Sequence, residues 1–231
     1  FVKDEMIKKG ISLKFNDNVS AIKKIAEPFH DLGYQVTFES GDTQETGLVL
    51  YATGRTPHTQ NLGLENVDVS LNKRGEISIN ENFQTSEKSI YALGDVTGGM
   101  QLTPVALAEG MYLSHYLYAD QKPSALDYNN IPTAVFCQPT IGTVGLSEEQ
   151  AKSKYADVSV FVSNFKPMKH TLSGSDERCL MKMIVDKSTD KVLGVHMVGA
   201  EAGEIIQGMA VALKAGATKK VFDETIGVHP S

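Results

Sequence analysis

Apolar and polar positions recur with different periods along the chain, and the changes of period mark out its segments. Val2, Met6 and Ile7 fall on one helical face and Gly10 stands where a helix C′ residue belongs, so the chain opens inside a helix. Residues 11–15 alternate as a strand, 19–25 form a second candidate, and 34–40 a third with Val36 and Phe38 apolar at period two. Gly41-Asp42 turns the chain. Residues 47–53 are an apolar run short enough for a buried strand, and Gly54-Arg55-Thr56-Pro57 breaks it. Three strands ahead of a buried one predict a β-meander closing a nucleotide-binding α/β domain. Residues 76–79 and 89–93 read as further short strands. A helix is expected from Pro104 to about Tyr118, with Thr103 as N-cap and Pro104 at N1.

The polar stretch 120–130 carries Pro123, Asp127 and an Asn pair, and reads as a linker at a domain boundary. Beyond it come strands at 133–137 and 141–146. Ser147-Glu148-Glu149-Gln150 then fits a capping box opening a helix. Strands follow at 158–165, 179–186 and 192–198, the last two joined by a hairpin loop over 187–191. A helix over about 202–215 carries Ile205, Met209 and Leu213 as a core-facing stripe, with Ile206 and Ala210 beside it. The order β-β-α-β-β-β-α predicts an α+β module with an antiparallel sheet. The chain closes on Val228-His229-Pro230-Ser231 after a turn-like segment. It opens without Met, so it reads as a fragment.

Composition narrows the function classes. The 231 residues carry a net charge of −6, which disfavours a nucleic-acid groove or an anionic membrane as partner. No apolar run is long enough to span a bilayer. The two cysteines, Cys137 and Cys179, form neither a disulfide framework, a CxxC motif nor a zinc site. Both fall in expected strands, where a thiol acts as a small hydrophobe, and no metal is called for. A reduced, intracellular compartment is the default, taken as cytoplasmic with an organelle as the alternative.

Three places carry candidate chemistry. In the first, Ser89–Thr103, a short strand ends in Gly94-Asp95 and a helix opens at Thr103-Pro104. Ligands of nucleotide-binding α/β domains lie at such strand ends. A glycine lets a ligand approach the backbone, a carboxylate accepts from a sugar or ribityl hydroxyl, and a helix N-terminus favours an anion. A plain strand-turn with Asp95 as turn residue fits the spacing equally well. Arg55, after the run 47–53, has the chemistry for a phosphate, although taken alone a surface arginine in a turn is the stronger reading. His229 has the chemistry to move a proton to or from a thiol. His30, His58, His115, His170 and His196 read as surface or packing residues.

Seven segments then carry a family resemblance: Ala52–Pro57, Ser89–Gly98, Leu102–Gly110, Ile131–Ala151, Phe165–Gly174, Gly194–Lys219 and Gly227–Pro230. Together, in order and over nearly the whole chain, they resemble the second half of the glutathione reductases, bacterial and plant types above all, within the flavin-dependent pyridine nucleotide–disulfide oxidoreductases. The resemblance implies a layout in which 1–57 end an NADPH-binding domain, 58–128 return to the FAD domain, and 129–231 form the interface domain of a homodimer. It implies that Asp95 and Thr103 hold FAD, and that Arg55, Gln101 and Ala134 line the NADPH side. It also implies that Phe165 and Met168 reach the glutathione pocket of the partner subunit, and that His229 is the acid–base for its thiols.

The sequence also departs from the family pattern. The CxxxxC redox pair and both GxGxx(G/A) loops are absent and are expected upstream, so the chain alone is expected to be inactive. Met111 occupies a place where many relatives carry a substrate-binding arginine. Within the same class, a dihydrolipoamide dehydrogenase or mercuric reductase is the alternative, although the segment Phe165–Gly174 speaks against both. A non-enzymatic dimerisation module is the alternative outside it.

Overall fold

The computed structural model describes residues 1–25 and 33–229. His30 with its neighbours Pro28 and Phe29, and Pro230 after His229, lie outside the described residues. In chain order the elements are α1 (Val2–Lys8), β1 (Val19–Lys24), β2 (Tyr34–Phe38), β3 (Thr43–Thr46), α2 (Thr103–Tyr118), β4 (Thr133–Val135), β5 (Ile141–Gly145), α3 (Glu148–Lys154), β6 (Val158–Phe165), α4 (His170–Ser173), β7 (Cys179–Asp186), β8 (Val192–Val198), α5 (Ala202–Lys214) and α6 (Lys219–Glu224). One-turn 3₁₀ helices stand at Leu64–Asn66 and Gly94–Thr97. The chain forms two compact units, Asn18–Asp127 and a second made of Phe1–Asp17 with Tyr128–Ser231.

In the unit Asn18–Asp127, β1, β2 and β3 form an antiparallel sheet in that order, with Val36 buried at its centre. The β2–β3 turn closes through Phe38 N–H to Asp42 O, and Gly41 takes the left-handed conformation the turn requires. The expected buried strand at 47–53 is absent. Leu48, Leu50 and Tyr51 are exposed, Leu50 at 85 %. An apolar strand of this kind needs a ladder partner and layers on its faces, and among the described residues nothing pairs with it. The polar β3, which alternation did not announce, pairs with β2 instead.

The strands expected at 76–79 and 89–93 reduce to single bridges, Leu71 with Ile77 and Gln84 with Tyr91. Asparagine side chains explain why. Asn72 Oδ1 accepts from the N–H groups of Arg74 and Glu76, and Asn80 Oδ1 from those of Asn82 and Gln84, so the chain bends every few residues. α2 begins one residue earlier than expected: Leu102 is the N-cap, without a side-chain bond, and Thr103 is the first helical residue. Its buried face is Val105, Glu109 and Tyr112.

The second unit centres on a five-stranded antiparallel sheet ordered β4-β5-β8-β7-β6. β6, β7 and β8 coincide with the expected strands, while β4 stops at Val135 and leaves Cys137 in a bend outside it. Asp186 pins the β7–β8 hairpin by accepting from Ser188 N–H and Oγ at 3.2 and 2.9 Å and from Thr189 Oγ1 at 2.5 Å. The Thr189 hydroxyl, with Ser188, holds its carboxyl below the ordinary value. The capping box on α3 forms as expected: Gln150 N–H donates to Ser147 Oγ at 3.2 Å, and Ser147 N–H to Gln150 Oε1 at 2.9 Å.

α5 covers one face of the sheet, but its buried stripe is Ala202, Ile206, Ala210 and Leu213. The expected Ile205 is 38 % exposed, so the helix is turned by about one position from the amphipathic reading. The contact is tight because glycines stand opposite. A Cβ on Gly142 would lie 2.3 Å from Ala202 O, and one on Gly145 would lie 2.9 Å from Leu213 Cδ2. Val144, Val185, Val192, Ile206, Ala210 and Leu213 form the core on this side, and Ala151, Ile184 and Leu193 form a second cluster under α3.

Residues 11–15, expected as a strand, have no ladder and follow the end of α1. There the N–H groups of Gly10 and Ile11 bond Ile7 O and Met6 O, with Gly10 left-handed, the reciprocal pattern of a Schellman turn. The buried residue of α1 is Glu5, paired with Lys8 at 2.6 Å, whereas Ile7 is exposed. α6 was not foreseen. Thr218 caps it by accepting from Val221 N–H at 3.3 Å.

Candidate functional site

The Gly94-Asp95 turn is built from α2 upward. Val105, Glu109 and Tyr112 share one face of the helix, and two of them grip the segment that leads to the turn. The Tyr112 hydroxyl donates to Asn82 Oδ1 at 2.9 Å, and its ring meets Phe83 edge-on at 5.6 Å. Phe83 O accepts from Ala92 N–H at 3.0 Å, which fixes the strand-like stretch before Gly94. Glu109, 4 % exposed, then accepts the Gly94 N–H on Oε2 at 2.7 Å.

Gly94 itself is left-handed at φ 70°, and a Cβ there would meet Ala106 Cβ at 3.2 Å, so the turn lies directly against α2. The turn's other backbone groups are also engaged. Thr97 Oγ1 donates to Gly94 O at 2.8 Å, Gly98 N–H to Asp95 O at 3.2 Å, and Ile77 N–H to Val96 O at 2.9 Å. The Asp95 carboxylate, by contrast, is exposed and makes no hydrogen bond or ion pair to another described residue.

Thr103 is exposed at the N-terminal end of the 16-residue α2, where Pro104 has no N–H and Val105 N–H bonds Leu102 O at 3.0 Å, so the Thr103 N–H and the helix dipole, about half a positive charge, are what this end offers an anion. A rigid turn with a glycine and an exposed carboxylate, packed on the helix whose N-terminus follows it, suits a polyhydroxylated, anionic cofactor. Gln101 is exposed just ahead of α2, and Arg55 is exposed in the irregular stretch after β3. Met111 is 65 % exposed on α2.

In the second unit Ala134 sits half-buried in β4, with the position of a Gly203 Cβ 3.2 Å from its own. Phe165 ends β6 and Met168 follows it, both with exposed side chains. His229 is exposed in the segment after α6. These residues lie on separate elements. Cys137 and Cys179 are free, and burial pushes the Cys179 thiol up. Among the described residues no group of three His, Cys, Asp or Glu side chains is placed to hold a metal ion, and no helix is long and apolar enough to cross a membrane.

Sequence reading missed Glu109 altogether. Its signal was a carboxylate on the apolar face of α2, four residues after Val105 and three before Tyr112. It also misses the setting of His196 in β8, which the sequence pattern reads only as a surface or packing residue. Nε2 donates to Leu146 O at 3.0 Å, so Nδ1 accepts from Thr143 Oγ1, at 2.5 Å. Burial lowers the pKa of His196 and the charge of Lys182 adds to this, while the Leu146 bond opposes it.

Comparison with known proteins gives the context of these positions. The profile described as "Pyridine nucleotide-disulphide oxidoreductase" matches residues 1–110, and the one described as "Pyridine nucleotide-disulphide oxidoreductase, dimerisation domain" matches residues 131–231. The chain belongs to the pyridine nucleotide–disulphide oxidoreductases. Within this family it is 46 % identical over 228 residues to a glutathione reductase of Burkholderia cepacia, covering 99 % of the chain and 49 % of that protein. It is 40 % identical over 228 residues to a trypanothione reductase of Trypanosoma congolense, covering 98 % and 45 %. The structure superposes on the HOCl-induced flavoprotein disulfide reductase RclA of Escherichia coli with a TM-score of 0.87 at 29 % identity, covering all of this chain and 52 % of that one. The chain thus spans about half the length of the curated relatives it matches. The α/β and antiparallel architecture is that of the family, dimerisation domain included.

Proposed function

We propose that these residues form the C-terminal half of an FAD enzyme that uses NADPH to reduce glutathione disulfide, acting as a homodimer in the cytoplasm. In this reading residues 1–57 end the NADPH-binding domain, 58–128 return to the FAD domain, and 129–231 build the interface. The observation that carries it is the 46 % identity to a glutathione reductase across nearly every residue of the chain. The Asp95 turn supports it, because its geometry suits the flavin cofactor.

The overall change is NADPH + H⁺ + GSSG → NADP⁺ + 2 GSH. When bound, FAD supplies the two-electron acceptor between the nicotinamide and a dithiol that lies outside these residues. Asp95 accepts a hydrogen bond from a ribityl or sugar hydroxyl, and the dipole of α2 at Thr103 stabilises negative charge at its N-terminus. Arg55, Gln101 and Ala134 line the nicotinamide side, the last two through backbone groups. Phe165 and Met168 flank the glutathione moieties. As the mixed disulfide forms, His229 gives its proton to the departing glutathione sulfur, so that the product leaves as a thiol and not as a thiolate. A second reading, a bulkier and less anionic disulfide, is favoured by one observation: the uncharged Met111 where an arginine would contact a substrate carboxylate.

The test is a His229→Gln substitution in the full-length flavoenzyme, with each half-reaction followed by stopped flow. Flavin reduction by NADPH is expected to stay within about twofold, while the disulfide half slows by roughly 10²–10⁴-fold. Equal slowing of both halves overturns the acid–base role. Faster turnover of trypanothione disulfide than of glutathione disulfide by the unsubstituted enzyme overturns the substrate.

A further inference from the structure

Glu109 is a buried carboxylate that none of the roles above employs. It lies on the inner face of α2, and its Oε2 accepts the Gly94 N–H at 2.7 Å. A charged acceptor on a backbone amide in a dry environment makes a short, strong bond. Gly94 is the residue before Asp95, and the next groups along the turn are fixed as well, by Thr97 on Gly94 O, Gly98 on Asp95 O and Ile77 on Val96 O. The backbone that carries Asp95 therefore has little freedom, while the Asp95 side chain remains exposed and uncommitted to any described residue. The absence of a Cβ on Gly94 brings the turn within contact of Ala106, one helical turn from Glu109. Tyr112, on the same face of α2, anchors the preceding segment through Asn82 and Phe83.

We propose that Glu109 is a positioning residue for the cofactor: through the Gly94 N–H it sets the aim of the Asp95 carboxylate at a hydroxyl of FAD. This rests on the flavoenzyme reading. The inference concerns how tightly the cofactor is held, not the chemistry performed on it. Without the Glu109 acceptor the Gly94 amide is left buried and unsatisfied, and the peptide between Leu93 and Gly94, which leads into Asp95, is free to rotate toward other partners. Glutamine retains an acceptor oxygen of the same reach, although an uncharged one. Leucine retains the volume and loses the acceptor.

The experiment is a double-mutant cycle on FAD binding by the full-length apoenzyme, read by quenching of flavin fluorescence and by the visible circular dichroism of the bound flavin. Asp95→Ala is expected to raise the dissociation constant about 10–100-fold, the effect of losing a charged hydrogen bond. Glu109→Leu is expected to raise it about tenfold, and Glu109→Gln about threefold or less. In the Asp95→Ala background, both Glu109 substitutions are expected to change it by less than about twofold, since the group they aim is gone. A Glu109 effect that persists undiminished in that background overturns the proposal, because a merely structural loss adds to the loss of Asp95. If Glu109→Leu does not fold, the Glu109→Gln arm of the same cycle decides. An unsubstituted protein that binds no FAD, or an Asp95→Ala variant that binds as tightly as the parent, overturns the flavoenzyme reading itself. A tight Asp95-dependent complex indifferent to Glu109 overturns only the positioning role.

Discussion

Replacing Ile206 and Ile205 separately distinguishes the helix face the structure shows from the face an amphipathic pattern implies. Ile206 is 2 % exposed and belongs to the cluster with Val144, Val185 and Leu213, whereas Ile205 is 38 % exposed. Ile206→Ala removes the side chain beyond Cβ from a site whose opposite wall is backbone. The Gly142 Cβ position lies 3.1 Å from Ile206 Cβ, and the strand behind it is locked into its ladder with β8. Such a wall does not move in to fill a void, so the cost falls in the upper part of the large-to-small range, about 3–4 kcal/mol. Ile206→Val, which deletes one methyl group, is expected to cost about 1 kcal/mol. Ile205→Ala is expected to cost less than about 1 kcal/mol, because much of the side chain already faces solvent. The chain has no tryptophan, so the assay is urea unfolding followed by far-ultraviolet circular dichroism. With a slope of about 2 kcal/mol/M, the Ile206→Ala midpoint falls by about 1.5–2 M and that of Ile205→Ala by less than about 0.5 M. Measurements at protein concentrations a hundredfold apart separate burial within the fold from burial on assembly. Equal midpoint shifts for the two alanine variants at the lowest concentration would refute the reasoning.

Two predictions concern pH. His196 has a folded pKa below the ordinary value of about 6.5, so as pH falls through that value the unfolded chain takes the proton first. Stability is expected to be flat in this contribution above about pH 6.5 and to decline below it, and His196→Gln is expected to flatten the decline in urea midpoints measured from pH 7.5 to 5; an unchanged slope counts against it. Glu148 bonds Lys152 at 2.5 Å and Lys182 at 2.6 Å, and these ammonium groups hold its carboxyl down to about 2. Its contribution is expected to be complete above about pH 4.5 and lost as pH falls toward 2, so Glu148→Gln should lower the thermal midpoint at pH 6 and leave it nearly unchanged at pH 2.

The second unit was the more legible from sequence because its signals are local. The capping box at Ser147 closes within a few residues, and β6, β7 and β8 are short, mostly apolar runs bounded by turn chemistry such as that of Asp186, Ser188 and Thr189. The one-position error on α5 has a physical origin. Ile205 and Ile206 are equally apolar, and only the glycine at position 142 on another strand decides which of them fits inside. The run 47–53 misled for the opposite reason, since its composition describes a strand whose partners must come from elsewhere in the chain or beyond it. At the candidate site, the Gly94-Asp95 turn and the start of α2, to within one residue, were readable because both are local, whereas the spacing fits a plain strand-turn equally well. Glu109 was not, because a buried carboxylate on an apolar helix face becomes meaningful only when the backbone amide it reaches, fifteen residues earlier, is brought beside it.

The seam where α5 meets β5 is made of absent side chains. Gly142 and Gly145 leave no room for even a methyl group against Ala202 O and Leu213 Cδ2. A contact of this kind cannot be tuned by gradual exchange, because every substitution adds atoms and none removes them. Evolutionary drift in this module is therefore channelled away from the seam and toward the outward side of α5, the segment around Phe165 and Met168, and the stretch after α6. Those surfaces can change in shape and charge while the helix stays seated. A joint without side chains thus leaves the fold of this module one fixed point about which its outer surfaces are free to vary.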